Sequence, residues 1–279
     1  MRRMATHPNL AGGHAVGFGA TARTDNWWVE ALVTGVVFLF FIVYTTWAAL
    51  QGEYYFAEPY LSPFYAPTLF IDPSAAGAAP VSHAWFGAWP SWWPSFLPAS
   101  PAVLILAFPG SFRFTCYYYR KAYYRSFAGS PPGCAVGPLG GARQYGGEAG
   151  LLLFQNLHRY SMYFAVAFVF MLAYDSILAF FHDGKPGIGV GTVILVINTI
   201  LIGGYTFGCH SFRHMVGGGN DCMSCGKATL QYNAWKKASW FNVRHMPFAW
   251  ASLVWVMIAD LYIRLLSMGV IHDLNTWGI

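Results

Sequence analysis

Long apolar stretches alternate with short polar and basic segments along most of this chain. Five stretches approach the ~20 residues that a helix needs to cross a bilayer core, and the second is the weakest. They cover residues 27–50, 97–117, 161–181, 189–208 and 247–268. The pattern therefore predicts an all-α membrane protein with five transmembrane helices in a bundle.

Composition supports this reading, because 56% of the 279 residues are hydrophobic and only 10% are charged. A soluble domain averages about 25% charged residues. No repeat is visible, and no segment is polar enough and long enough to form a separate soluble domain. We therefore expect one transmembrane anchor domain over residues 1–279.

Basic residues predict how the helices are oriented. Lys and Arg that flank membrane helices stay on the cytoplasmic side, and 14 of the 16 fall in segments that would share one side. The exceptions are Lys185 and Arg264. The pattern predicts a multi-pass protein of the inner (cytoplasmic) membrane, with its N-terminus cytoplasmic and its C-terminus outside. We read the net charge of +5 as a topology signal and expect no nucleic-acid partner.

The segment 51–100 contains no Lys or Arg and is rich in Pro and Trp. Prolines interrupt helices, so we expect short irregular pieces lying against the outer membrane interface. Two acidic residues, Asp175 and Asp260, lie on apolar spans, where a charge is costly. They could pair with Arg264, line a proton path or make structural hydrogen bonds.

Metal-ligand residues are concentrated in the loop 209–225 that follows the fourth span. His210 and His214 are spaced to share one helix face, and glycines 217–219 permit a reversal before the Cys222-x-x-Cys225 turn. Cysteines on a cytoplasmic face are rarely disulfide-bonded. Two Cys and two His suit structural zinc and also a Rieske-type [2Fe-2S] centre.

Other residues could replace members of this set. His158 and His245 begin the third and fifth spans, which would end at the same depth, and Cys209 adjoins the cluster. Cys116 and Cys134 show no partner spacing, and we expect both to be inert.

Two segments carry a resemblance to a known family: NLHRYSMYF at 156–164 and CGKATLQYNAWKKASWFNVRHMPFAW at 225–250. Together with the five-span layout, they resemble the membrane-anchor (cytochrome b-like) subunit of succinate dehydrogenase and fumarate reductase. Five-helix anchors of that family usually hold two b-type haems with axial histidines on several spans. Spans one and two contain no histidine here, so the chain is more similar to the branch with a membrane-embedded Rieske-like cluster.

The resemblance implies a function for the whole complex. Flavoprotein and iron–sulfur subunits of succinate dehydrogenase would dock on the cytoplasmic face, with room for a small additional membrane subunit. The anchor would accept electrons from the iron–sulfur subunit and pass them through a Rieske-type [2Fe-2S] centre to menaquinone or ubiquinone. It would have no catalytic activity of its own.

The residues expected at each site are as follows. The metal ligands would be His210, His214, Cys222 and Cys225. Polar groups at the mouths of spans three and five would bind the quinone: His158, Arg159, Tyr160, Arg244 and His245. The competing interpretations are a b-haem anchor of the same complex and a zinc-stapled membrane scaffold without a redox role.

Overall fold

A computed structural model describes residues 17–139, 149–218, 222, 225 and 229–278. Within these residues, four helices are long and apolar enough to cross a membrane. They are α1 (Trp27–Gln51), α5 (Ala149–Leu178), α6 (Val190–Phe207) and α9 (His245–Ser267). The predicted first, third, fourth and fifth spans are therefore present as single helices.

The predicted second span, 97–117, is not a single helix. It is divided into α2 (Pro101–Ile105), α3 (Ala107–Phe114) and α4 (Tyr117–Lys121), and a π-helical turn follows at Ala122–Phe127. Pro109 has no N–H to donate to the carbonyl of Ile105, so the helical ladder is interrupted where α2 ends. The longest piece has eight residues, about 12 Å, which is too short for a bilayer core of ~30 Å.

The chain divides into two compact units. The described part of the smaller unit comprises residues 17–36 and 120–139. The larger unit contains residues 37–119 and the described residues from 149 onward. Helices α5 and α9 begin, and α6 ends, at one end of the larger unit, which we call the basic end. We call the other end the opposite end.

Helix α6 lies against both α5 and α9 in the larger unit. The approach to α9 is closest at Gly204, where a built Cβ atom would lie 2.5 Å from the Phe248 ring. Gly203 is less constrained, because a Cβ atom there would meet its nearest neighbour, the Phe207 ring, at 3.7 Å. Small residues allow membrane helices to pack closely, so Gly204 sets the α6–α9 separation.

The opposite end is covered by short pieces, as the prolines predicted. A hairpin of β1 (Phe56–Ala57) and β2 (Tyr60–Leu61) packs on α9, and a 3₁₀ turn spans Val81–His83. Tyr65 anchors this segment to α1, because its hydroxyl donates to the Ala48 carbonyl at 2.6 Å. A second hairpin, β3 (Phe181–His182) and β4 (Lys185–Pro186), connects α5 to α6.

A buried ion pair joins α9 to this cover. Asp260 and Arg264 are 0% and 2% exposed, and Arg264 Nε lies 3.4 Å from Asp260 Oδ2. Asp260 also accepts hydrogen bonds from Tyr44, at 2.7 Å, and from Ser62. Arg264 Nη1 donates to the Glu53 carbonyl at 2.9 Å. Of the alternatives considered for Asp260, the pair with Arg264 and the structural hydrogen bonds are therefore both observed.

Gly204→Ala should weaken the α6–α9 contact, because its methyl group would overlap the Phe248 ring. We expect a loss of about 1–3 kcal/mol, measured as a lower melting temperature of the detergent-solubilised protein. Gly203→Ala is the matched control on the neighbouring residue and should melt close to the wild type. Equal melting of the two variants would show that Gly204 does not set the helix separation.

Asp260→Asn should be strongly destabilising. The amide can keep its contacts with Tyr44 and Ser62, but the Arg264 charge is left buried without a counter-charge, at a cost of about 3–5 kcal/mol. Asp183→Asn, in the exposed β3–β4 turn, is the control for removing one carboxylate. The ion pair would have no stabilising role if both variants melted at the wild-type temperature.

Candidate functional site

The segment that carries the predicted metal ligands is anchored at both ends. Helix α7 (His210–Gly217) follows α6 almost directly, and it packs on α8 (Thr229–Asn242). The Gln231 side-chain amide donates to the carbonyls of Val216, at 2.9 Å, and Gly218, at 3.2 Å. The connection that contains Cys222 and Cys225 therefore begins and ends close to the last turn of α7.

The four predicted ligands are placed in two pairs. His210 and His214 lie one helical turn apart on α7, and both are exposed. Cys222 and Cys225 form a disulfide with a Cα–Cα distance of 5.6 Å, where we expected two free thiols. They must be reduced before they can bind a metal. Within the described residues, no three His, Cys, Asp or Glu side chains converge as ligands of one ion.

Cys209 and His158 meet at the basic end. Cys209 Sγ lies 3.1 Å from His158 Nε2, and His158 Nδ1 lies 2.9 Å from the Thr115 hydroxyl. The Phe112 ring is stacked on the His158 imidazole at 4.5 Å. Burial raises the pKa of the Cys209 thiol, since it disfavours the thiolate. In this arrangement Cys209 is a protonated thiol, available as a hydrogen-bond donor to His158.

His245 pairs with the second buried cysteine. Its Nε2 atom lies 3.8 Å from Cys116 Sγ, and its ring is stacked on Tyr205 at 5.0 Å. His245 is 3% exposed, and its Nδ1 atom has no hydrogen bond. Cys116 was expected to be inert because its partner lies 129 positions away and no local spacing reveals the contact.

The five predicted quinone ligands are divided between the interior and the surface. His158 and His245 contact the rings of Phe112 and Tyr205, which touch each other with centroids 5.1 Å apart. Three others, Arg159, Tyr160 and Arg244, are exposed. The Arg244 guanidinium lies over the Trp240 ring at 4.1 Å and donates to the Trp240 carbonyl at 3.0 Å.

Behind these two aromatic rings the larger unit contains a cavity of ≈ 120 Å³, which we call the core cavity. Its lining is mostly apolar and comes from five helices and the 63–64 turn. The lining includes Thr45, Phe112, Arg113, Tyr205 and Thr206. Since Phe112 and Tyr205 line the cavity on one side and stack on His158 and His245 on the other, each imidazole lies one ring away from it.

Several polar groups on the cavity wall lack partners. The hydroxyls of Thr45 and Thr206 are buried and form no hydrogen bond within the described structure. A buried polar group without a partner costs about 1–3 kcal/mol. Arg113 adds a positive charge, with its guanidinium 5.0 Å from the centre of the Tyr205 ring and a bond to the Ser252 hydroxyl at 3.2 Å. The wall could therefore bind a ligand with hydrogen-bond acceptors.

Comparison with known proteins identifies the family. A family described as "Actinobacterial succinate dehydrogenase subunit SdhC" matches residues 29–269. This chain belongs to that family. A chain of the solved structure "Mycobacterium smegmatis Sdh1 complex in the apo form" is 40% identical, with a TM-score of 0.78 over 91% of this chain and 92% of that one. A search among curated proteins found no match.

The family membership confirms the central expectation from the sequence. The chain is a multi-pass membrane-anchor subunit of a succinate dehydrogenase complex, and it contributes to that enzyme without independent activity. The cofactor, the ligands and the quinone remain predictions.

Proposed function

We propose that this anchor receives electrons from an iron–sulfur subunit and delivers them to a quinone in the cytoplasmic membrane. The match to the SdhC family over residues 29–269 carries this proposal. The similar solved chain comes from an Sdh1 complex. By analogy, a flavoprotein and an iron–sulfur protein dock at the cytoplasmic face, and a small additional membrane subunit completes the anchor. The quinone is menaquinone or ubiquinone.

The proposed electron carrier is a Rieske-type [2Fe-2S] centre on His210, His214, Cys222 and Cys225. In such a centre two Cys bind one iron and two His bind the other. The chain offers a thiol pair in one turn, once reduced, and an imidazole pair on one helix face. When bound, the cluster would carry one electron at a higher potential than an all-Cys cluster. Gln231 contributes by keeping the ends of the connecting segment together.

The fold also brings together a second possible set of metal ligands. Cys209 with His158, and Cys116 with His245, form two Cys–His pairs. We call them the buried pairs after their two buried cysteines; His158 itself is part-buried. Each pair consists of one Cys and one His, whereas in a Rieske centre two Cys bind one iron and two His bind the other. The local set therefore matches the proposed cofactor better, and the buried set is the alternative.

For the quinone, we propose that the head group occupies the core cavity. A quinone carbonyl accepts hydrogen bonds, and Thr206 and Thr45 offer hydroxyls that have no other partner in the described structure. Arg113 can stabilise negative charge as the quinone is reduced. His158 and His245 lie one aromatic ring farther out, so they do not contact a head group in the cavity directly. Arg159, Tyr160 and Arg244 define a second location for the quinone at the exposed surface of the basic end.

Single substitutions should identify the metal ligands. We expect His214→Ala and Cys225→Ser to abolish a low-average-g EPR signal of the reduced complex, while succinate oxidation with a soluble artificial acceptor continues. His158→Ala and His245→Ala are the controls and should retain that signal. Loss in the controls with retention in His214→Ala would assign the centre to the buried pairs. A Soret band in the optical spectrum would instead support the b-haem interpretation. Bound zinc without any such EPR signal would support the scaffold interpretation.

Thr206→Val should reveal whether the cavity binds the quinone. The change preserves the shape of the side chain and removes one hydroxyl, worth about 1 kcal/mol or about fivefold in affinity. We expect KM for the quinone to rise while activity with a soluble acceptor is unchanged. Thr199→Val is the control, because it removes a hydroxyl on the same helix that does not line the cavity and is already bonded to the Leu172 carbonyl at 3.1 Å. An unaltered KM in Thr206→Val would place the head group elsewhere.

A further inference from the structure

The smaller unit contains a basic cleft beside the first turns of α1, which we call the interface cleft. Its volume is ≈ 300 Å³, at the lower end of the range for ligand clefts. Its charged lining residues are Arg23, Lys121, Arg125 and one carboxylate, Glu30. This site is separate from the residues proposed for the metal centre and the quinone.

The cations of the interface cleft differ in how well they are neutralised. Arg23 is held by Asp25, with Nε 2.8 Å from Oδ1. Lys121 Nζ is 3.9 Å from Glu30 Oε1, at the outer limit of an ion pair, and the Glu30 side chain is 68% exposed. Arg125 has no carboxylate partner among the ion pairs of the described residues. Lys121 and Arg125 can therefore bind an additional anion.

An apolar surface begins beside the same cleft. Trp27, Glu30 and Ala31 of α1 line the cleft. The next residues of that helix are exposed: Leu32 and Val33 by 54% each, and Val36 by 58%. Because α1 is long and apolar enough to cross a membrane, these side chains face acyl chains and the cleft lies near the head groups. Tryptophans such as Trp27 are enriched at that level.

We propose that the interface cleft binds one anionic phospholipid. Its phosphodiester lies between Lys121 and Arg125, and its acyl chains lie along Leu32, Val33 and Val36. The positive N-terminal end of α1 adds to the attraction. A free phosphate would use only the cations, and an acidic protein segment would leave the neighbouring apolar strip uncovered. A phospholipid uses both surfaces, which is why it is the occupant that the structure favours.

The test uses the intact complex in nanodiscs of phosphatidylglycerol mixed with phosphatidylcholine, followed by native mass spectrometry of retained lipid. The variant Lys121→Gln/Arg125→Gln should lose one phosphatidylglycerol per anchor, with occupancy reduced about tenfold or more, since each basic residue near the surface contributes to anionic-lipid binding. Lys236→Gln/Lys237→Gln, on exposed residues of α8, is the charge-matched control and should keep it. Lys121→Arg/Arg125→Lys should keep it as well.

Three results would overturn the proposal. The first is equal phosphatidylglycerol retention by the Lys121/Arg125 variant and its control. The second is equal occupancy of the cleft by phosphatidylcholine, or displacement of the lipid by millimolar inorganic phosphate. The third is loss of the soluble partner subunits from the variant without any change in bound lipid, which would assign the cleft to a protein contact.

Discussion

The close approach of α6 to α9 is the constraint on which the candidate site depends. Only a residue without a side chain fits between the helices where Gly204 faces Phe248. The next residue along α6 is Tyr205, and the helix separation brings its ring flat against His245, at 5.0 Å. Tyr205 is then fixed as a wall of the core cavity. The distance between the backbones of two membrane helices thus fixes the Tyr205 ring between the His245 imidazole and the core cavity.

The two ends of the larger unit differ in whether an arginine is paired with a carboxylate. Arg264 at the opposite end is enclosed with Asp260, and both are bonded to elements that cover α9. Arg113 near the basic end is bonded only to neutral groups in the described structure, Tyr119 and Ser252. Arg113 is part-buried and lacks the carboxylate partner that Arg264 has, so it has more to gain from an anionic or electron-rich ligand. This difference makes the cavity at Arg113, and not the ion pair, the place where chemistry is expected.

Four of the five predicted spans, the irregular 51–100 segment and the i, i+4 histidine pair could be predicted from the sequence, because each depends on local periodicity or on proline. Residues 97–117, which hydropathy predicted as one continuous span, form shorter helices instead, with a break four residues before Pro109. The contacts of Cys116 with His245 and of Cys209 with His158 join different helices. Tertiary packing creates them, and no spacing within one segment could reveal them. The unpartnered hydroxyls of Thr45 and Thr206 are likewise visible only once the helices are assembled.

The layout of the basic end also bears on how electrons and protons could be separated. His158 and His245 are each engaged with a cysteine and shielded from the core cavity by an aromatic ring. The exposed His210 and His214 lie on α7, beyond the end of the apolar helix, where a soluble partner can approach. If His210 and His214 hold the metal, His158 is left free to exchange protons with the Thr115 hydroxyl and the Cys209 thiol. If the Cys209–His158 and Cys116–His245 pairs hold the metal instead, their imidazoles could not serve as proton donors. Arg113 and the wall hydroxyls would then remain as the polar groups on the cavity wall.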